Sequence, residues 1–354
     1  MKRWLRPGYL PYALRAILEK RAARFGLLTL TLLFTIAVFA DVLASDLPIL
    51  CATKKGISFA PAVTHSITRH DAAEASWAIR PPIHYGPNSI DANVEAPSSP
   101  SLTNGHLFGT DQHGRDVCAR VIHGTRTTLT FALFSVVVFI VVGASLGAAS
   151  GFIGGAFDGL FSRVVETMTA FPTLVLVLGI QASLEKPSVI TLFVAVCFTR
   201  WTEVARLVRA EVMLVSTRDY VVAAKALGAS PLRILLRHII PNAWAPIVVS
   251  AAFGLASVIL VEASVDFLHA SGDTRSPSWG ETLSEVRNHP GAWWLFLFPA
   301  AILFGLVVAQ NLVGETLRDA LDPRFARRSG SGKAAGTIPS APPSSLTIDS
   351  APRA

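Results

Sequence analysis

Apolar residues in this chain gather into long runs rather than alternating stripes. A helix needs about 20 mostly apolar residues to cross a hydrocarbon core. Six stretches answer to that measure: 25–44, 127–157, 167–184, 187–199, 239–261 and 290–314. The second carries no charge over its whole length, and the first is interrupted by Asp41 near its end. The fourth is short and spans only if Arg200, Trp201 and Thr202 lie at its interfacial end. The pattern predicts an all-α integral membrane protein with six transmembrane helices.

The segments between and after the runs differ in character. Residues 45–126 are longer than a simple connection requires. They contain "WAIRPPIHYGPNSID", whose prolines and turn formers predict a small cap of short strands and turns. Residues 329–354 are rich in Ser, Pro, Ala and Gly, which predicts a disordered tail.

Residues 216–241 read as a helical hairpin. Ser216 and Asp219 have the spacing of a capping box, and 220–227 gives two helical turns. Gly228 suits the left-handed residue that ends a helix. Ser230 then caps a second helix, with Pro231 at its first position. Leu232, Leu235, Leu236 and Ile239 form an apolar stripe that seats the hairpin. Arg233 and Arg237 share another face, and Pro241 turns the chain into the fifth span. Three readings fit such a hairpin: an interfacial helix with solvated cations, a DNA-binding helix-turn-helix lacking its third helix, or a docking element for a cytoplasmic partner.

Charge orients the runs. Lys2, Arg3, Arg6, Arg15, Lys20, Arg21 and Arg24 precede the first span against the single acid Glu19. The positive-inside tendency puts 1–24 in the cytoplasm. Six spans return the C-terminus there, along with 200–238 and its cations. Residues 45–126, 184–188 and 263–289 become the outer connections. The first span, at "VLAS", ends like a cleaved signal peptide. The long basic region before it and the five runs after it favour a retained span.

Composition and chemistry narrow the function. Of 354 residues, 51% are apolar and 16% charged, whereas soluble domains run near 25% charged. Cys51, Cys118 and Cys197 show no metal spacing. Cys51 and Cys118 both fall on the outer side, where a disulfide and two free thiols both stay open. Gly332-Lys333 fails as a phosphate loop because Ala334 replaces the required Ser or Thr. There is no nucleophile with its base and no HExxH motif, so we expect no catalytic residue, no metal and no cofactor on this chain.

Polar and small residues inside the runs supply the remaining candidates. Gly143, Gly147, Gly151 and Gly155 recur every four residues, as on a helix face that another helix approaches closely. Glu262 and Asp266 lie one turn apart in span five, and Gln310 and Asn311 in span six. Membrane-embedded polar groups usually face a cavity or a partner. Glu262 and Gln310 are therefore candidates for a translocation path, with helix–helix hydrogen bonding as the rival reading. Asp111 can cap a short outer helix ended by Gly124. Arg115, Asp116 and Arg120 pair locally or with a neighbouring subunit.

Several motifs in order resemble one family. Ala223-Ala224, Gly228 and Ile239-Ile240-Pro241 resemble the cytoplasmic EAA loop of ABC importer permeases. "FGTDQHGRDVCARVIHGTRTTL" is similar to the signature of the dipeptide/oligopeptide permease C-type subunits, carried by Gly109, Thr110, Asp111, Gly114, Arg115 and Asp116. "LVEASVDFL", "SPSWGETLSEVRN" and "NLVGETLRDALDPR" resemble later stretches of that family, up to about Phe325. The outer "SDLPIL" and "IRPPIHYGPNSI" look most like its broad-specificity peptide and microcin C importer branch. The resemblance implies the type I importer permease fold, with a core over 127–320 and a long extracytoplasmic loop, in a bacterial inner membrane. It implies a second homologous permease, two ABC ATPases that hold ATP-Mg, and an extracytoplasmic binding protein. It also implies ATPase docking through Tyr220, Ala223, Ala224, Gly228, Ala229, Ser230, Arg233, Arg237 and Pro241. Short peptides are the implied cargo; nickel chelates or another small solute are the alternative within the family. A stand-alone secondary transporter is the rival from another class, and it would need its own coupling-ion carboxylates in repeated helices. Two departures stand out: Val222 replaces the family's leading Glu, and Phe267-Leu268-His269-Ala270-Ser271 replaces "FLGLG".

Overall fold

The computed structural model describes residues 15–53, 56–64, 66–268 and 276–321. The expected tail, residues 2–6 of the basic cluster and the His269-Ala270-Ser271 departure lie outside these. Helix α1 (Arg21–Val38) and the one-turn α2 (Ala40–Leu43) come first. Strands β1 (Leu50–Thr53) and β2 (Gly56–Phe59) follow, then the short helices α3 (Pro61–Thr64) and α4 (Arg69–Ala73), and β3 (Trp77–Ile79). The strands pair antiparallel in the order β2-β1-β3. Only β3 falls in the proline-rich segment; β1 and β2 precede it, so short strands and turns occupy part of 45–126. Cys51 in β1 and Cys118 are both buried free thiols.

Helix α5 (Val117–Ile153) differs from expectation at its start. The Asp116 carboxylate accepts the Ala119 N–H at 2.7 Å and caps it, so the cap is Asp116 and not Asp111. One helix of 37 residues then runs through Gly124 without a break. Gly124 does not end a helix; an added Cβ there would meet the Trp279 ring at 3.0 Å. Gly154, at φ +69°, ends the helix.

The third expected span, 167–184, is one arm of a bent pair. Helices α6 (Gly155–Thr169) and α7 (Thr173–Ala182) meet at 82°. Pro172 stands at the joint, where its missing N–H and fixed φ interrupt a continuous helix. The fourth run belongs to a much longer helix, α8 (Val189–Ser216), opened by a Ser188–Thr191 capping box. Arg200 therefore lies inside this helix rather than at its end.

The hairpin consists of α9 (Asp219–Ala226) and α10 (Pro231–Ile234), followed by a π turn over Leu235–Ile239 and a 3-10 turn over Ile240–Asn242. The fifth run consequently becomes helical membrane segment only at α11 (Trp244–Phe267). Helix α12 (Trp279–Ser284), a 3-10 turn over Glu285–Arg287 and α13 (Trp294–Leu321) complete the chain. Among the described residues, α1, α5, α11 and α13 are long and apolar enough to cross a membrane. The bent pair makes a fifth if it crosses as one span. Leu28, Leu32, Phe34, Phe134 and Phe304 all point outward, as helices surrounded by hydrocarbon allow.

The tightest seam joins α5 to α8. A Cβ on Gly143 would stand 2.5 Å from the Trp201 carbonyl oxygen, and one on Gly151 2.7 Å from that of Arg209. On Gly147 it would overlap the Ala205 carbonyl. Four-residue spacing on both helices keeps the ridge of one in the groove of the other. Gly155, the expected fourth member, lies beyond the break and faces open space.

We expect Gly147→Ala to destabilise the detergent-solubilised protein by ~1–3 kcal/mol, the usual range for overpacking. Gly159→Ala, with nothing within 4 Å of an added Cβ, should be neutral or mildly stabilising. Equal thermal midpoints for the two variants would contradict the seam.

Candidate functional site

The signature residues fold into a turn that brings two arginines under cover. Gly109 and Gly114 adopt φ +76° and +77°. The Trp294 indole N–H donates to the Thr110 carbonyl at 3.0 Å, which ties the turn to the start of α13. The Asp111 carboxylate accepts the N–H groups of His113 and Arg115 at 2.8 and 2.9 Å. It also accepts the Arg115 Nε–H.

Neither arginine reaches a neighbouring surface. Arg115 donates to Glu285 at 3.0 Å and Arg120 to Glu281 at 2.7 Å, both from α12 and the turn after it. Arg120 is fully buried. Its Nη1 also donates to the Pro87 carbonyl at 3.3 Å. The cluster thus holds two guanidinium groups against the three carboxyls of Asp111, Glu281 and Glu285. Burial pushes Glu285 up to about 7, with the Asp111 charge adding to the rise. A retained proton there balances the excess acid. Asp116 takes a separate partner: His106 Nδ1 stands 2.8 Å away, and the Tyr85 ring stacks on that imidazole at 4.3 Å.

Side chains of Asp111, His113 and Glu285 converge closely enough to suggest a metal site. Their oxygens are already taken by N–H donors: Arg115 fills the centre, and the Gln112 N–H reaches Glu285 at 3.1 Å. The donor set fits an ion-pair cluster. Glu281, Glu285, His106 and Trp279 escape the sequence reading. The one available signal is the pair of glutamates a turn apart in "SPSWGETLSEVRN", matching the paired arginines.

The hairpin is seated by only part of the expected stripe, Ile239 and half-buried Leu235, together with Val221 and Ile234. Val221, Ile234 and Ile239 are buried, whereas Leu232 and Leu236 are 65% and 56% exposed. Leu235 is half-buried. The π turn accounts for this, because a stripe counted at 3.6 residues loses register where the helix widens. The expected Ser216–Asp219 cap does not form: α8 extends through Ser216, and Arg218 stands at the cap position. Ser230 precedes α10 without a side-chain cap bond, and Pro231 takes the first position as expected.

Gly228 adopts φ +75°, and the Ala229 N–H returns to the Ala224 carbonyl at 3.1 Å. Lys225 lies over the Phe152 ring at 5.9 Å, joining the hairpin to the end of α5. Tyr220 packs near His238, their rings 6.5 Å apart. Ala224 and Ala229 are half-buried, and Ala223, Ser230, Arg233, Arg237 and Pro241 are exposed. Val222 and Leu227 face outward at 53% and 88%. The free face of the hairpin is therefore apolar with a basic border.

The two path candidates point inward. Gln310 donates to the Ala252 carbonyl at 2.8 Å, a bond between α13 and α11. Glu262 accepts from the Thr128 hydroxyl at 3.1 Å and borders, with Asp266, a void of about 20 Å³. A larger cavity of about 200 Å³ opens instead at the α6–α7 bend, against Thr202, Glu203 and Arg206 of α8.

Residues 140–327 match the family described as binding-protein-dependent transport system inner membrane component. A dipeptide transport system permease protein of Alkalihalophilus pseudofirmus is 37% identical over 221 residues, 62% of this chain and 72% of its own. A di/tripeptide transport system permease protein of Pseudomonas aeruginosa is 38% identical over 220 residues, again 62% and 72%. A peptidoglycan transport system permease protein of Agrobacterium fabrum is 31% identical and aligns over 90% of this chain and 95% of its own.

Two outcomes follow from the cluster. Glu281→Gln removes the nearer of the two carboxylates paired with buried Arg120, leaving Asp111 at 3.6 Å, and should cost up to ~3–5 kcal/mol, read as a fall in thermal midpoint. Glu285 holds its proton to about pH 7 when folded, against the ordinary 4.5 when unfolded. The folded state then binds the extra proton between those values, so stability falls as pH rises from 4.5 to 7 and levels off above. Glu285→Gln should flatten that decline; an unchanged pH profile in the variant would show that Glu285 does not set it.

Proposed function

Since the chain belongs to the family of binding-protein-dependent transport inner membrane components, we propose that it is the permease subunit of an ATP-driven importer of short peptides. What carries the peptide reading is the peptide-transport description shared by relatives that align over most of their own length. The chain itself performs no covalent chemistry in this reading. Two partner ATPases hold ATP-Mg, a second homologous permease completes the path, and an extracytoplasmic binding protein delivers cargo.

Six crossings fit the arrangement: α1, α5, the bent pair α6–α7, α8, α11 and α13. The basic N-terminus then lies in the cytoplasm, and the strands of 45–126 lie outside with α12. The hairpin α9–α10 lies on the cytoplasmic side, where its exposed Val222, Leu227, Leu232 and Leu236 suit an apolar groove on an ATPase. Val222 extends that apolar face where a glutamate would have interrupted it. ATPase closure would pull on the hairpin and, through α8, on the α5 seam.

Uptake of tri-alanine into liposomes holding the assembled transporter tests the reading. Import that persists without the ATPases would assign the chain to secondary transport. Gly228→Pro tests the hairpin, since proline fixes φ near −65° where +75° is needed. We expect it to insert normally and to lower ATPase co-purification by roughly tenfold, a loss of about 1.4 kcal/mol. Co-purification at the wild-type level would remove the hairpin from the docking contact.

A further inference from the structure

The α5–α8 seam supplies a depth gauge for α8. The charge-free part of α5 runs from Thr127 to the helix end at Ile153, so its middle is residue 140 and Gly143 stands about 5 Å beyond it. Gly143 faces the Trp201 carbonyl, so Trp201 lies about 5 Å from that middle. At 1.5 Å per residue, Glu203 is about 3 Å and Arg206 about 8 Å further along the helix axis. A hydrocarbon core extends about 15 Å on either side of its centre. Both residues therefore lie within membrane depth, and both are exposed on the surface of this chain. A charged side chain at that depth faces water or a partner, not lipid.

The charges on this stretch of α8 do not balance. Arg200 pairs with Glu203 at 3.0 Å. Arg209 makes a two-pronged bond to Asp158, with Nη2 at 2.6 Å from Oδ2, and Ser150 donates to the same carboxylate at 2.6 Å. Arg206 makes no ion pair among the described residues. It borders the cavity of about 200 Å³ at the α6–α7 bend, together with Thr169, Phe171, Thr173, Thr202 and Glu203. Hydroxyls surround one uncompensated guanidinium, and the Arg200–Glu203 pair adjoins it without net charge. This volume falls below the roughly 300 Å³ at which pockets begin to enclose a drug-sized ligand. It suits one end of a ligand.

We propose that this cavity is an intramembrane subsite for a carboxylate, and that Arg206 receives the C-terminal carboxylate of a peptide in transit. A guanidinium matches a carboxylate in two parallel hydrogen bonds. Thr169 and Thr202 donate their hydroxyl protons to carbonyls of their own helices, which leaves their oxygens to accept from peptide N–H groups, and Thr173 adds a third hydroxyl. The preformed Arg200–Glu203 pair keeps Glu203 from neutralising Arg206, which leaves the cation for the cargo. The inference rests on the importer reading above and adds to it a place of contact.

The test uses the assembled transporter with its ATPases and binding protein in liposomes, with tri-alanine as cargo. Arg206→Gln should lower uptake by roughly tenfold, as loss of a strong arginine contact does. Arg206→Lys, which keeps the charge but loses the fork, should fall between wild type and Arg206→Gln. Uptake at the wild-type rate in Arg206→Gln overturns the subsite while leaving the importer reading intact. So does an equal loss in the Lys and Gln variants, which would mark a steric role. Loss of the second permease from the complex in Arg206→Gln gives the counter-charge to that partner and also overturns it. A wild-type complex that hydrolyses ATP and takes up no tri-alanine refutes the peptide reading, and the subsite with it.

Discussion

Close approach of α5 and α8 is the constraint on which the other parts depend. Apolar side chains cannot drive two helices together inside lipid, because lipid is as apolar as they are. Contact must come from packing, and packing at backbone distance needs glycine. Gly143, Gly147 and Gly151 place the α5 surface against the carbonyls of Trp201, Ala205 and Arg209. Once that register is set, every other feature of α8 has a fixed depth. The placement of its arginines along α5 and its exit into the hairpin are consequences of where the glycines stand.

A second constraint acts beyond the spans. Two arginines and three carboxyls are buried where the signature turn meets α12. Such a cluster adds little net stability, since desolvation offsets much of the attraction, but removing any one member strands the rest. Its role is to specify: Arg115 and Arg120 can lie in their places only if α12 comes back across the mouth of the bundle. Arg126 extends the same logic to α1. It donates to the Ala37 and Val38 carbonyls at 2.8 and 3.2 Å and pairs with Asp41 at 2.8 Å. The unsatisfied C-terminal carbonyls of a helix are thereby closed by a cation.

Legibility in the sequence follows the range of the interaction. Apolar runs, the Gly228 bend, the Pro231 start and the seam of three glycines were readable because each depends on neighbours a few residues away. Failures came where a distant partner decides. Gly124 resembled a helix end until Trp279, 155 residues later, turned out to pack on it. Arg115 and Arg120 carried no mark of Glu285 and Glu281. In the hairpin, a stripe counted at constant period held only in part, because the π turn buries Ile234 and Ile239 five residues apart and leaves Leu236 outside. Glu262 and Gln310 were legible as polar residues in apolar runs, but their partners, the Thr128 hydroxyl and the Ala252 carbonyl, were not.

A helix meant only to span would not carry Arg200, Glu203, Arg206 and Arg209 opposite a charge-free neighbour. Three of the four are neutralised by partners on α6 or on α8 itself. The same helix continues from them into the hairpin. A pull at α9 would act along α8 on the Arg209–Asp158 bond, which holds α6, and α6 forms one wall of the cavity beside Arg206. One rigid element thus links the hairpin to the bend that shapes the cavity. A change in hairpin position and a change in cavity shape would then be the same motion seen at two ends, with no chain of separate relays between them.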